Sequence, residues 1–338
     1  MNKKIITFTM SLKQSQFEVE RLATEAEKLG VEINRALYRE LTFDLNNGKP
    51  RAFVRGEEIT AENTLGIWFR VAGTISGKYT EGRNLLIQIL EGQTHGSAHT
   101  VFCANHEGYL KWSRMGKISQ HGVFLKNDIP VVPTKIFYTK EQILGTNPSA
   151  LRAPSSSMAD LRLDRAGSAR DDFYGLGWPV IAKHEKGYQG KSVKKFDNFE
   201  ELEKFVRKIN EKNVGMFLWQ KYLPTRWDIR VIVLDGKAIG GMKRSAVGDE
   251  FRSNFSLGGA VEKWELSEDD KRLAEKVAKV CGLDYCGVDI MKGPNPNKEE
   301  DYDSFILEVN RQCQFQGFEK STGINVARKV VEMFLRRF

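Results

Sequence analysis

The stretch YCGVDIMKGPNPNKEEDYDSFILEVNRQC, residues 285–313, holds two apolar runs that carry carboxylates where the pattern points inward. Asp289 sits in the first run, GVDIM; Glu308 and Asn310 sit in the second, FILEVN. Acidic side chains are seldom buried unless something pairs with them. In an extended strand Glu308 and Asn310, two apart, share a face while Val309 turns the other way, into core. If the two runs are neighbouring strands, Asp289, Glu308 and Asn310 form an all-oxygen set. Such a set suits Mg2+, a hard cation that takes a few carboxylates and keeps waters or substrate phosphates. The lack of nitrogen and sulfur ligands disfavours zinc. The plainer alternative is an Asn–Glu pair that satisfies a buried turn.

Outward from this stretch, the chain is 338 residues long and 41% hydrophobic, which allows a large core and two or three domains. No run approaches the roughly 18–20 apolar residues of a membrane span. The N-terminal MNKKIITFTMSLKQSQ has too short an apolar run for a secretory signal and reads as a first core strand. Four cysteines (Cys103, Cys281, Cys286, Cys313) show no CxxC pair, so a reduced, cytoplasmic compartment is expected. The balance of 52 basic against 44 acidic residues gives +8, which favours an anionic partner such as nucleotide phosphates or an acidic peptide. A solvated basic surface is the bland alternative. No RNA-binding or zinc-finger signature is present, which argues against nucleic acid.

Residues 4–9 read as a strand, QFEVERLATEAEKLG (16–30) as a helix with Val19, Leu22, Ala26 and Leu29 on one face, and VEINRALY and LGIWFRVAG as further strands around a polar hairpin-like segment. This order predicts an open α/β domain over 1–111. A second unit, 112–222, begins with a helix, a Pro-bounded turn and a strand. It carries a Ser-, Pro- and charge-rich stretch at 146–172 that reads as a surface insertion. Asp197 and Glu200 make a capping-box pattern for the helix that follows. The third part, 223–338, opens with DIRVIVLDGKAIGGMKR, a hairpin turning at Asp235-Gly236. Next comes a helix that Ser267 can cap, then the two carboxylate-bearing strands and a closing helix.

The segment KGYQGKS (186–192) invites a Walker A reading and fails it. Glu185 stands where the first glycine is needed, and SVKKF looks like a second strand where a helix should begin. A glycine-containing hairpin can still cover phosphates through backbone N–H groups at Gly187 and Gly190, with Lys183 at the end of the strand leading into it. Arg230, Arg244 and Arg252 would add positive charge and Asn254 an oxygen ligand or donor, a grouping that phosphoryl transfer calls for. On counts alone, the arginines could equally be solvated strand residues.

Taken in order, VIAKHEKGYQG, WQKYL, DIRVIVLDGKAIGGMKR, DEFRSNFSLGGAVE, LDYCGVDIM, FILEVN and GFEKSTGINVA resemble the ATP-grasp superfamily, and within it the RimK-type carboxylate–amine ligases. The resemblance covers about residues 112–338. In the N-terminal domain, LGIWFR resembles the ligases that cyclise ribosomally made peptides. The resemblance implies an α/β ATP-grasp fold with an N-terminal open α/β domain and a nucleotide held between two antiparallel-sheet subdomains. It implies Lys117 and Lys183 as the two ATP lysines, although the Asp that usually precedes the first is here Gly116. It places the adenine hinge at Gln220, Lys221, Tyr222 and Leu223, where the family commonly has an acidic residue in place of Lys221. Asp228 and Arg230 match the Asp-x-Arg motif, Arg244 the triphosphate or acyl-phosphate arginine, and Asn254 the metal-side Asn. Asp289, Glu308 and Asn310 match the ligands of two Mg2+ ions, with Mn2+ as an alternative ion. The chain departs from the pattern after Asn310: RQCQFQG replaces the small-residue and Pro-Gly turn of glutamate-adding members and resembles the peptide cyclases. The insertion KGPNPNKEEDYDS is also longer than usual.

These readings imply an ADP-forming ligase. A carboxylate would attack the γ-phosphorus of ATP to give an acyl phosphate, and an amine would displace phosphate to form an amide. The acceptor expected is an acidic peptide or small acid and the donor an amino acid such as glutamate, with ATP and Mg2+ as the other partners. No membrane partner is expected, and a homo-oligomer is allowed. Alternatives are intramolecular closure of a peptide, a phosphotransferase using the same grasp, and an ATP-binding or basic nucleic-acid-binding module without catalysis.

Overall fold

The computed structural model describes residues 4–46, 49–70, 77–92, 100–112, 114–145, 173–185, 187, 192–247, 260–294 and 302–337. The insertion expected at 146–172, Gly190, the segment with Arg252 and Asn254, and residues 295–301 between the carboxylate strands lie outside the described residues. The fold is mixed α/β with several antiparallel sheets. The chain divides into two compact units: Met1–Met115 with Trp227–Met291 and Leu307–Phe338, and Gly116–Arg226 with Lys292–Ile306.

The N-terminal part of the first unit begins with β1 (Lys4–Thr9), α1 (Gln16–Lys28) and β2 (Glu32–Leu37). Next come the short strands β3 (Leu41–Asp44), β4 (Arg51–Val54) and β5 (Glu57–Glu58), then β6 (Thr64–Phe69), α2 (Thr80–Gly92), β7 (Phe102–Cys103) and α3 (His106–Lys111). β2, β1, β6 and β7 form a parallel sheet in that order. Every residue of β6 is buried, as expected of a strand covered on both faces. Gly66 is required there: a Cβ would lie 2.5 Å from the Phe102 carbonyl oxygen and 2.5 Å from the Phe334 ring. The polar segment read as hairpin-like is an antiparallel sheet of β3, β4 and β5, and it includes a strand at 41–44 that the sequence reading did not separate.

The second unit contains α4 (Lys117–Lys126), β8 (Thr134–Ile136), α5 (Lys140–Leu144), β9 (Val180–His184), β10 (Val193–Phe196), α6 (Phe199–Lys208) and β11 (Phe217–Lys221). Its sheet runs β10-β9-β11-β8, antiparallel where the register is defined. β9 pairs antiparallel with β10, so the glycine-containing segment joins two strands, which bears out the rejection of a Walker loop. The cap of α6 lies one residue later than expected. Asn198 accepts from the Glu201 N–H at 3.0 Å, while Asp197 takes the Lys195 ammonium at 2.6 Å.

Returning to the first unit, β12 (Trp227–Leu234) and β13 (Lys237–Ser245) form the expected hairpin. It turns on Asp235 (φ 51°) and Gly236 (φ 75°), the left-handed pair that a two-residue hairpin turn needs. β14 (Ala260–Trp264), α7 (Glu268–Val280), β15 (Tyr285–Pro294), β16 (Tyr302–Asn310), α8 (Gln316–Thr322) and α9 (Val326–Arg336) complete the chain. The sheet order is β14-β13-β12-β15-β16, so the two carboxylate-bearing strands are neighbours. Ser267 caps α7 by accepting from the Asp270 N–H at 3.1 Å. A core of Ile232, Leu234, Met242, Phe318, Val330 and Phe334, among others, lies beneath this end of the sheet.

Candidate active site

Strand register brings the charged residues of the first unit together. Asp228 pairs with Arg244 across β12 and β13, and Arg230 pairs with Asp289 across β12 and β15. Residues 228 and 230 share a face, so the result is one buried network. Arg230 donates to both Asp289 oxygens, Nε to Oδ1 at 2.8 Å and Nη2 to Oδ2 at 2.7 Å. Arg244 reaches Asp289 Oδ2 through Nη2 at 3.0 Å and Asp228 Oδ1 through Nε at 2.5 Å. Asp228, Arg244 and Asp289 are each under 5% exposed. Burial alone would push the Asp289 carboxyl up. The Arg230 and Arg244 guanidiniums outweigh it and hold the group below the usual carboxylate range. Burial likewise works against charge on Arg230, and the Asp289 carboxylate reverses this, so that arginine is held firmly protonated.

Asn310 ties this network to Glu308: its Nδ2 donates to Glu308 Oε1 at 3.1 Å and lies 3.4 Å from Asp289 Oδ2. Two carboxylates from adjacent strands therefore converge on one point, where they share a positively polarised donor. By donor chemistry the set suits Mg2+ through the carboxylate oxygens of Asp289 and Glu308 and the side-chain oxygen of Asn310, whose amide nitrogen here faces the two carboxylates. Among the described residues no group of three or more His, Cys, Asp or Glu side chains is placed to hold a metal.

The turn after Asn310 is held by residues the sequence reading did not single out. Arg70 closes β6, is fully buried and lies over the Trp68 ring at 4.6 Å. Its Nη2 donates to the carbonyls of Gln312 and Cys313, both at 3.2 Å, and Gln312 returns a bond from Nε2 to the Arg70 carbonyl at 3.2 Å. Asn105 donates to the Arg311 carbonyl at 3.1 Å, and the Tyr285 hydroxyl to that of Cys313 at 3.0 Å. Three successive carbonyls of RQC are thus pinned by three side chains, with Arg70 serving two of them. A charged residue ending a wholly apolar strand was the one available signal. Cys313 is buried, and that burial pushes its thiol up.

In the second unit Lys117 opens α4, and its Nζ donates to the Gly187 carbonyl at 2.7 Å. Lys183 lies in β9, opposite Val193 of β10 and Leu218 of β11. Gln220 is buried, and its amide donates to Thr134 Oγ1 at 2.8 Å and to His121 Nε2 at 3.0 Å. Because the amide N–H donates, His121 Nε2 must accept. The imidazole proton then sits on Nδ1, 2.9 Å from the Lys117 carbonyl. Burial, and then the Lys183 charge, lower the His121 pKa and keep this tautomer neutral. The chain Thr134–Gln220–His121–Lys117 links the expected hinge strand to the helix of the first lysine. In the expected hinge, the Lys221 N–H donates to the Pro133 carbonyl (3.0 Å) and the Tyr222 N–H to the Pro179 carbonyl (3.1 Å). Leu223 is buried.

Comparison with known proteins settles the lineage. Residues 151–334 match the family model described as the RimK-like ATP-grasp domain. The chain belongs to the RimK-like ATP-grasp family. The similarity of this RimK-like chain to a "Probable alpha-L-glutamate ligase" of Rhodopirellula baltica is 24% identity over 317 residues, 94% of this chain and 67% of that one. A "Probable alpha-L-glutamate ligase" of a Marinomonas species is 36% identical over 161 residues, covering 46% of this chain and 50% of that protein. Several of the curated relatives are matched over only about half of their length, between 50% and 51%. Among solved structures, the ATP-grasp ligase PsnB complexed with a minimal precursor superposes with a TM-score of 0.67 at 18% identity, covering 100% of both chains. The fold is therefore that of ATP-grasp ligases over the whole length.

Proposed function

We propose that the chain is an ATP- and Mg2+-dependent ligase that activates a peptide side-chain carboxylate as an acyl phosphate and passes it to an amine or hydroxyl. The observation that carries this reading is the buried Asp228–Arg244–Asp289–Arg230 network opening onto Glu308 and Asn310. It supplies fixed positive charge beside an all-oxygen cation set, which phosphoryl transfer requires. Arg230 and Arg244 would offset charge that builds on the transferring phosphoryl group. Lys117 and Lys183 would bind phosphate oxygens, and backbone groups of Gln220 to Leu223 would hold adenine. Asp289, Glu308 and Asn310 would hold Mg2+, joined by Asn254. When bound, the metal would supply positive charge that offsets the charge of the phosphate oxygens.

In the first half-reaction the substrate carboxylate oxygen forms a bond to the γ-phosphorus as the bond to ADP breaks. In the second, the amine or hydroxyl forms a bond to the acyl carbon, phosphate leaves, and the nucleophile loses a proton. No protein nucleophile is needed. All four cysteines are buried, and burial raises each thiol, Cys281 to about 12, which leaves little thiolate.

The whole-length similarity to a ligase complexed with a precursor, together with the RQCQFQG turn, favours a nucleophile within the same peptide. Addition of a free amino acid such as glutamate is the second reading, favoured by the extended match to a glutamate-ligase relative. Incubation with Mg-ATP, hydroxylamine and a panel of acidic peptides and small acids separates them from non-catalytic binding. ADP together with a hydroxamate on one panel member is expected. Removing hydroxylamine should then yield a product 18 Da lighter than the peptide for internal closure, or one heavier by an added residue if an amino acid must be supplied. ATP that binds and stays intact across the panel would count against a ligase.

A further inference from the structure

We propose that Glu185 caps α4 in place of a side chain at position 116, and so positions Lys117; the inference rests on the reading of Lys117 as a phosphate-binding lysine. The first N–H groups of a helix have no partner within it. α4 starts after Gly116, which brings no side chain to satisfy them. The backbone of Gly116 does not require glycine: φ −83° and ψ 174° is the extended conformation that ordinary N-cap residues adopt. The space a side chain would take there is held by the carboxylate end of Glu185. A Cβ on residue 116 would lie 1.7 Å from Glu185 Oε1 and 2.7 Å from its Cδ.

Glu185 occupies that space productively. Its Oε2 accepts from the Ile118 N–H at 2.9 Å, the donor that an N-cap side chain ordinarily takes. Its negative charge also suits the positive end of the helix. The residue is anchored in turn, because its own N–H donates to the Met216 carbonyl at 2.7 Å. It directly follows β9, the strand of Lys183, and Lys117 Nζ bonds the Gly187 carbonyl two residues further on. One carboxylate thus fastens the helix that starts at Lys117 to the exit of the strand that carries Lys183. Glu185 is a positioning residue: it acts on the nucleotide through Lys117.

Position 116 and position 185 should therefore behave as one unit. The test measures binding of a non-hydrolysable ATP analogue with Mg2+, and the melting temperature, in wild type, E185A, E185Q, G116D and the double variant G116D/E185A. E185A should weaken binding about five- to tenfold and lower the melting temperature, the usual scale of a lost cap. E185Q should stay within about threefold of wild type, because its amide oxygen still accepts. G116D alone sets two carboxylates against one helix start and should weaken binding about tenfold. In G116D/E185A the new Asp takes over the cap, so binding should return to within about threefold of wild type. Multiplication of the two single effects would overturn the proposal, as would an E185A protein that binds and melts like wild type. Wild-type protein that binds no nucleotide would instead sink the ligase reading, and the effect on Lys117 with it; melting temperatures would still report the cap.

Discussion

Asp289 Oδ2 accepts from Arg230 and Arg244, and Asn310 lies within reach of the same oxygen, so its substitution should show in both fold and chemistry. Asp289→Ala takes away the carboxylate that Arg230 bonds and leaves Arg244 with Asp228 alone, and should cost about 3–5 kcal/mol of stability. Asp289→Asn keeps the shape and should cost less, yet it removes a charge from the cation set. Both should abolish hydroxamate formation, read against denaturant unfolding as the control for folding. An Asp289→Asn protein with wild-type turnover would remove this carboxylate from the mechanism. Arg70 gives a second residue-scale outcome. Arg70→Lys keeps the charge but loses the Nη2 group that serves two carbonyls, so it should lower stability by about 1–3 kcal/mol. That loss is measurable as a shift in the urea midpoint.

At the scale of elements, the helix cap of α6 shows where pattern reading stops. Asp197-x-x-Glu200 and Asn198-x-x-Glu201 are both capping frames, one residue out of step. Burial of Leu202 and Val206 fixes the helix phase, and Lys195 takes Asp197, which leaves Asn198 to cap. Asn198→Ala should therefore cost about 1 kcal/mol, while Asp197→Ala should cost markedly less, since Asp197 is exposed and its pair with Lys195 is open to solvent. Equal losses in thermal unfolding would restore the original frame. The Ser267 cap and the Asp235–Gly236 turn were legible directly, because each depends on a few adjacent residues whose chemistry admits one arrangement.

At the scale of the whole molecule, acid stability follows from carboxylates held below their unfolded values. Bonding to Lys28, against the opposing effect of burial, leads the causes that bring Glu25 down to about 2. Asp289 is lowered by its two arginines despite burial. A depressed carboxylate contributes stability that is complete above its unfolded pKa, near 4 for Asp and Glu, and is lost as pH falls through the folded value. The melting temperature should therefore fall below about pH 4. His121 adds a gentler loss that starts below about pH 6.5, because its buried ring resists protonation while the unfolded chain accepts a proton. His121→Asn should remove that upper limb of the pH profile and leave the lower one. Mg-ATP at about a hundred times its Kd should raise stability by about 2.7 kcal/mol, and Asp289→Asn should lose most of that gain.

The sequence by itself determined the secondary elements with local signals, the strand–loop–strand character of 180–196, the shared face of Glu308 and Asn310, and membership of the ATP-grasp family. Each of these rests on spacing along the chain: period two in strands, adjacent turn residues, motifs in a fixed order. Only the tertiary structure decided that Arg230 and Arg244 both clamp Asp289, because that pairing depends on the register between β12, β13 and β15. The same holds for Arg70 pinning the Gln312 and Cys313 carbonyls, which lie 242 and 243 residues further along the chain. It holds also for Glu185 filling the space of a side chain at Gly116. Contacts of this kind link distant residues through packing and leave no periodic trace in the sequence.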